Sequence, residues 1–343
     1  RRLGTRMIGV TGTNGKTTTK ELIATVLGEK FKVLYTQGNF NNHIGVPLTL
    51  LRLKPEHEMA VIEMGANHPG EIKTLVHIAE PDYGIITNVG KAHLQGFGSF
   101  EGVIRTKGEL YDFLREKENS TIFIQNENPY LNKIATGLTC VRYGQTPGLD
   151  VTGKVVSCSP FLRFSWTAEG TSHEVQTHLI GSYNLDNALA AVTIGRYFGV
   201  EDAKICHALS SYVPQNNRSQ LVHTASNTLI VDAYNANPTS MMAALENFRQ
   251  MEAAHKVAIL GDMKELGEGS HEEHQKVVDF LKECGFERVM LVGPEFGGTA
   301  SSFEHYKDVK EVEALLAAHP LQGCCVLVKG SNSMKLSELP ASL

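Results

Sequence analysis

The sequence predicts an α/β protein. A P-loop-type domain on a mostly parallel sheet with a small antiparallel insert is followed by a smaller Rossmann-like α/β domain. Three observations carry that expectation. An apolar, β-branched run at 7–11 enters a glycine-rich turn and then a helix with apolar residues at 22, 23, 26 and 27. Three strand patterns without intervening helices, at 151–156, 161–166 and 173–179, mark the insert. After a break at 212–218 that contains proline and two asparagines, strands and helices alternate afresh. The expected domains are therefore 1–213 and 214–343.

The first turn reads TGTNGKT at 11–17. Strand, glycine loop, lysine–threonine and helix together form a phosphate cradle, in which backbone N–H groups and a helix N-terminus face the anion. Lys16 supplies a point charge at the outer phosphates, and Thr17 a hydroxyl for Mg²⁺. Val10 stands where the strict Walker A spacing has glycine, so the loop is a variant. A strand is expected at 32–35, then a polar loop over 36–47 with three asparagines, two glycines and a histidine. Strands at 59–64 and 83–89 end near Glu63 and His93. Ligands sit at the carboxyl ends of parallel strands, so these two side chains belong at the same edge as the phosphate loop. A carboxylate there suits Mg²⁺; an imidazole more usually indicates Zn²⁺ or Mn²⁺. A helix over 101–115 carries Lys107, and short strands follow at 121–124 and 140–143. Asn184 or Asp186 is the expected cap of a helix over 188–198. Helices at 202–210, 239–251, 271–284 and 309–318 and strands at 221–224, 228–231, 257–260, 289–292 and 325–329 complete the pattern.

With 343 residues and a formal net charge of −5, the chain offers no general attraction to nucleic acid or anionic membrane. No uncharged apolar run is long enough to span a bilayer. The six cysteines show neither CxxC pairs nor zinc spacing, which predicts free thiols in a reducing cytosol, hence a cytoplasmic protein. A monomer is expected.

Eight segments, in order along nearly the whole chain, resemble the Mur ligase superfamily, which includes folylpolyglutamate synthase. They are TGTNGKT at 11–17, NNHIGVPL at 41–48, EMGAN at 63–67, TNVGKAH at 87–93, KGE at 107–109, DAYNANP at 232–238, LGDMKELG at 260–267 and KGS at 329–331. The phosphate loop identifies only the superfamily. The YNANP and GDMKELG segments point to the branch that joins D-alanyl-D-alanine to a UDP-muramoyl-tripeptide. Family members have an N-terminal UDP-sugar domain, a central ATPase domain and a C-terminal α/β domain. The resemblance covers the last two, and this sequence opens directly on the phosphate-loop strand, so the first domain is expected to be absent from it.

The resemblance implies an ADP-forming amide ligation: a substrate carboxylate takes the γ-phosphate of ATP, and an amine then displaces phosphate from the acyl phosphate. It implies nucleotide contacts from Thr13, Asn14, Gly15, Lys16, Thr17 and Thr18, with Asn184 and Asn187 near the adenine, Arg218 reaching in from the linker and Asp232 on the ribose. Two Mg²⁺ ions are implied, held by Thr17 and Glu63, and by His93 and a carbamylated Lys107. Lys16, His93 and Lys107 are thus the expected catalytic set, and Asn41, Asn42, Tyr234, Asn235 and Asn237 the candidates for the acyl-phosphate and amine region. The sequence departs from the family pattern at Thr106, Tyr183 and Asn217, where alanine, histidine and glycine are frequent. Two other readings compete. A folylpolyglutamate synthase-type ligase would use glutamate as acceptor, and a P-loop protein without ligase activity would hydrolyse nucleotide with no acceptor at all.

Overall fold

The computed structural model describes residues 3–215 and 218–343. The first sheet contains β1 (Arg6–Thr11), β2 (Val33–Tyr35), β3 (Met59–Glu63), β4 (Tyr83–Ile86), β5 (Thr121–Gln125), β6 (Cys140–Gly144), β7 (Val151–Cys158), β8 (Phe161–Ala168) and β9 (Thr171–Ile180). Its order is β2-β3-β1-β4-β5-β6-β7-β8-β9. Strands β1 to β6 run parallel to their neighbours, and so does β7 against β6; only β8 and β9 are antiparallel additions. The expected insert is therefore a continuation of the main sheet. Around it lie α1 (Lys16–Gly28), α2 (Gly45–Leu50), α3 (Glu71–Ala79), α4 (Leu94–Phe97), α5 (Phe100–Arg115), α6 (Pro129–Ile134), α7 (Asn184–Tyr197) and α8 (Asp202–Ser211).

Strand alternation divides the apolar side chains between two faces. Ile8, Val10 and Val61 join the core under α1, α7 and α8, while Met7, Ala60 and Ile62 join the one under α3 and α5. Residues on both faces of β1 and β3 are buried, so these strands read as continuous apolar runs. The polar carboxylate of Glu63 at the end of β3 is the exception, and it marks the site.

The second sheet contains β10 (Gln220–His223), β11 (Thr228–Asp232), β12 (Lys256–Gly261), β13 (Arg288–Val292), β14 (Glu304–Tyr306) and β15 (Cys325–Lys329), in the order β10-β11-β15-β12-β13-β14. It is parallel apart from β10. Helices α9 (Pro238–Gln250), α10 (Ser270–Cys284), α11 (Pro294–Gly297) and α12 (Val309–Ala318) cover it, over two apolar cores that take alternate residues of β12.

Three expectations need correction, and one helix was missed. The loop expected over 36–47 ends early, because α2 starts at Gly45 and Asn42 Oδ1 accepts the amides of Ile44 and Gly45 there. The strand expected to reach Val89 stops at Ile86, since Thr87 and Asn88 turn away to bind the phosphate loop. Neither Asn184 nor Asp186 caps α7: Tyr183 holds the cap position without a side-chain bond, and both polar residues lie inside the first turn. Helix α3 escaped the sequence reading although Ile72, Leu75, Val76 and Ala79 form an apolar stripe. Asn217 lies outside the described residues, as does part of the expected linker.

Candidate active site

The phosphate loop is held open by backbone geometry that only glycine tolerates. Gly12 has φ +140°, and a Cβ there would lie 2.0 Å from Thr87 Oγ1. Gly15 has φ +76°, caps α1, and a Cβ would meet Asn187 Oδ1 at 2.6 Å. The first turn of α1 contains no acidic residue, so its free N–H groups face the cleft uncompensated. The loop is tied to the sheet from beneath. Asn14 N donates to Asn88 Oδ1 (2.9 Å), and Thr87 Oγ1 and Asn88 Nδ2 donate to Asn14 O at 2.7 and 3.0 Å.

Lys16 Nζ donates to the carbonyl oxygens of Gly12 (2.9 Å) and Thr13 (3.0 Å). Burial pushes its pKa down, with Glu63 opposing and the Arg218 charge reinforcing the shift. Two cations from different domains thus face one cleft, which is the field an anion requires.

Glu63 is fully buried. Its Oε1 accepts from Thr17 Oγ1 (3.0 Å) and Asn41 Nδ2 (2.8 Å). Its Oε2 finds no hydrogen-bond donor among the described residues, and the buried Lys20 ammonium stands 3.9 Å away. A buried carboxylate oxygen left without a donor is costly. Together with the Thr17 hydroxyl it supplies hard oxygen donors of the kind Mg²⁺ prefers. Lys20 itself donates to Thr36 O (2.7 Å).

The expected second metal set does not fit as it stands. His93 Nδ1 is bonded to the Glu265 carboxylate from the other domain, and Lys107 Nζ donates to Ala66 O at 3.2 Å beneath the Phe97 ring. Among the described residues no three His, Cys, Asp or Glu side chains converge in a metal-holding group. Burial pushes His93 below the usual imidazole value despite Glu265. Burial also drives Lys107 well below the usual lysine range, with the Lys16 charge adding to the effect. Burial thus disfavours the ammonium form of Lys107, and conversion to a carbamate would give it the hard oxygen donors that Mg²⁺ takes.

Beside Gly15, Asn187 and Asn184 are buried and bonded in series: Thr19 Oγ1 donates to Asn187 Oδ1, Asn187 Nδ2 to Asn184 Oδ1, and Asn184 Nδ2 to Ile180 O. The opposite wall comes from the second sheet. Asp232, at the end of β11, accepts from Lys329 Nζ at 2.5 Å and from Ser219 N at 3.3 Å. The Arg218 guanidinium lies 3.8 Å from the Tyr234 ring centre, and its buried Nε has no partner among the described residues. Asn235 Oδ1 accepts its neighbour's amide, from Ala236 N. Asn237 caps α9 through Ser240 and also donates from Nδ2 to Asn14 Oδ1 at 2.7 Å, joining the second domain to the phosphate loop.

These groups surround one cleft of about 1020 Å³, and every site residue expected from the sequence lines it except Lys107, which lies just behind. Sequence reasoning gave no role to Lys20, Glu265 or Lys329. The last two sit in the LGDMKELG and KGS segments, but nothing linear in the chain shows what they face. Among the described residues no helix is long and apolar enough to cross a membrane.

Comparison with known proteins places the fold in a family. The Mur ligase middle domain matches residues 10–195 and the Mur ligase, glutamate ligase domain matches 217–332. The UDP-N-acetylmuramoyl-tripeptide–D-alanyl-D-alanine ligases of Bacillus subtilis and Escherichia coli are 37% and 35% identical, over 99% and 98% of this chain and 76% of each relative. The crystal structure of MurF from Acinetobacter baumannii superimposes with a TM-score of 0.90 at 32% identity, over 99% of this chain and 76% of that one. MurF ligase from Thermotoga maritima, solved in complex with ADP, gives 0.88 at 28%, over 99% and 79%. A folylpolyglutamate synthase from L. casei shares the fold alone, with a TM-score of 0.72 at 16% identity over 99% and 91% of the two chains. Both domain matches and the identity to these relatives show that the chain belongs to the Mur ligase family.

Proposed function

We propose that this chain carries an ATP-dependent, ADP-forming amide ligase that adds D-alanyl-D-alanine to a UDP-N-acetylmuramoyl-tripeptide, in cytoplasmic peptidoglycan precursor synthesis. The observation that carries the reading is the single cleft into which the phosphate loop, Glu63, Arg218 and Asp232 all open. The names of the relatives, together with YNANP and GDMKELG, support this acceptor over glutamate.

Three requirements govern the chemistry: in-line placement of a carboxylate against a crowded polyphosphate, neutralisation of the charge between them, and an amine free to attack. The loop amides and Lys16 bind the β- and γ-phosphates, and Arg218 adds positive charge from the facing domain. Asp232, oriented by Lys329, receives the ribose hydroxyls, and Asn184 and Asn187 border the adenine. Thr17 and Glu63 would hold the first of two Mg²⁺ ions, and His93 would join the second only with Lys107 converted to a carbamate. Such ions would supply the positive charge that lets a carboxylate approach the polyphosphate. Carbamylation turns Lys107 from a cation that opposes a metal into an anion that attracts one. Asn41 orients Glu63, and Tyr234, Asn235 and Asn237 line the side where the acyl phosphate and amine meet. The working unit is a monomer with no role for nucleic acid or membrane insertion.

The test is ligation with ATP and UDP-muramoyl-tripeptide, read by phosphate release and product mass, with D-alanyl-D-alanine or glutamate as acceptor. Product with the dipeptide alone is expected. Product with glutamate, or hydrolysis indifferent to any acceptor, overturns the reading.

A further inference from the structure

Helix α7 opens on a tyrosine whose partner lies in the other domain. Tyr183 holds the cap position of α7 without a side-chain bond to the helix, and its ring is folded back over Gly181. Gly181 has φ +96°, and a Cβ there would lie 2.2 Å from Tyr183 Cε1, so the ring takes the space a side chain would fill. Laid in this direction, the phenol carries its hydroxyl to Ser219, with the two hydroxyl oxygens 2.8 Å apart. Asn184, the next residue, bonds within its own domain, donating to Ile180 O at 2.8 Å.

Ser219 passes that contact on. It stands immediately before β10, whose antiparallel pairing with β11 sets Gln220 opposite Val231 and brings Ser219 to the end of β11. Ser219 N donates to Asp232 Oδ1 (3.3 Å), while the buried Lys329, opposite on β15, donates from Nζ to Asp232 Oδ2 at 2.5 Å. One carboxylate oxygen is thus held from within the second sheet, and the other by a residue bonded to the first domain. Ser219 has φ +47°, a left-handed conformation uncommon for serine, of the kind that persists only where the surroundings hold it. Its bonds to Tyr183 and Asp232 supply that hold. Tyr183, Ser219, Asp232 and Lys329 all line the cleft.

We propose that Tyr183 is a positioning residue for the nucleotide sugar: through Ser219 it sets where the Asp232 carboxylate stands, so that recognition of the ribose hydroxyls depends on a phenol of the first domain. The placement of Asp232 on the ribose rests on the functional reading above; the hydrogen bonds from Tyr183 to Lys329 do not. A hydrogen bond from a sugar hydroxyl to an ionised carboxylate contributes about tenfold or more in affinity, and it weakens steeply when the acceptor moves out of line. A hydroxyl that never touches the nucleotide therefore controls how strongly ribose is told from deoxyribose.

Calorimetric titration of the protein with Mg²⁺-ADP and with its 2′-deoxy and 3′-deoxy analogues tests this, since the analogues keep base and phosphates unchanged. Wild type is expected to prefer ADP about tenfold or more over at least one analogue, and Asp232→Ala to abolish the preference. Tyr183→Phe keeps the ring over Gly181 and removes only the hydroxyl; it should reduce the preference about threefold or more. Ser219→Ala should do the same, and the double variant should lose little beyond either single change, because both break one link. Ser219→Gly relieves the left-handed backbone while removing the hydroxyl, so a reduced preference there, with thermal stability kept, separates positioning from folding. A preference unchanged by Tyr183→Phe, or losses that multiply in the double variant, overturns the proposal. A preference retained by Asp232→Ala, or absent from wild type, overturns instead the placement of Asp232 on the ribose, and the proposal with it.

Discussion

The two walls of the cleft are built differently. On the first-sheet wall the groups hold one another: Thr17, Glu63 and Asn41 form one hydrogen-bonded cluster, and Gly12 and Gly15 are fixed by Thr87 and Asn187. On the second-sheet wall Arg218 lies over Tyr234 with a buried Nε that has no partner among the described residues, and Asp232 is held by Lys329. The first wall is preorganised by its own sheet, because its residues end adjacent parallel strands. The second is organised internally but depends on docking to face its target. Its contacts across the gap include Asn237 on Asn14, Glu265 on His93, Glu273 on Lys91 and Ser219 on Tyr183. Substitutions in the first wall should damage the chemical step, and those in the second should damage binding and closure.

Lys16→Ala gives the sharpest test, with loss of ATP turnover of about 10²- to 10³-fold or more and an unchanged circular dichroism spectrum. Near-normal turnover would erase the distinction between the walls. Lys107 follows. Depletion of CO₂ should lower ligation and bicarbonate should restore it, and Lys107→Ala should respond to neither. Carbamate forms from the neutral amine, so falling pH protonates Lys107 and removes the activating group; activity should fall on the acid side. An added carboxylate on Lys107 in electron density beside a metal is the direct observation, and its absence there would sink the assignment.

Arg218→Ala should raise KM for ATP about tenfold, the worth of one charge-assisted contact, with a smaller change in kcat. A pure kcat effect would place Arg218 functionally with the first wall. Asn237→Ala removes a helix cap and the interdomain bonding to Asn14, and should cost about 1 kcal/mol of second-domain stability, read by thermal melting.

The smallest effect concerns His274. Burial lowers its pKa from the ordinary 6.5, and its neutral Nε2 accepts from Met263 N. The unfolded chain takes up that proton more readily than the folded one, so this stability is complete above about pH 6.5 and is lost as pH falls. Melting of the second domain should drop on acidification, and His274→Asn should lower the melting temperature overall while flattening its slope with pH. An unaltered slope would clear His274 of that role.

Legibility differed between the walls for the same physical reason. The strand–glycine loop–helix unit is local, so its backbone demands are written in consecutive residues, and Thr11 to Thr17 could be read directly. Glu63 could be placed because the ends of parallel strands collect ligands. The early stop of β4 at Ile86 was not legible, because it reflects a distant bond from Thr87 to Asn14. Nor was the local bonding of Asn42, whose Oδ1 accepts the amides of Ile44 and Gly45 at the start of α2, or that of Asn184, whose Nδ2 donates to Ile180 O. Asparagine is compatible with a substrate contact, a cap or a buried bridge, and only its neighbours decide.

By itself, then, the sequence determined the alternation of strands and helices, the phosphate loop and the motifs that carry the family resemblance. Each depends on periodicity or on adjacent residues. Tertiary structure alone decided that Glu63 keeps an oxygen without a donor among the described residues, that burial pushes the Lys107 pKa well down, and that Glu265 reaches His93 across 172 positions of chain. Burial and long-range pairing set the charge state of a group, and neither is encoded by the residues next to it.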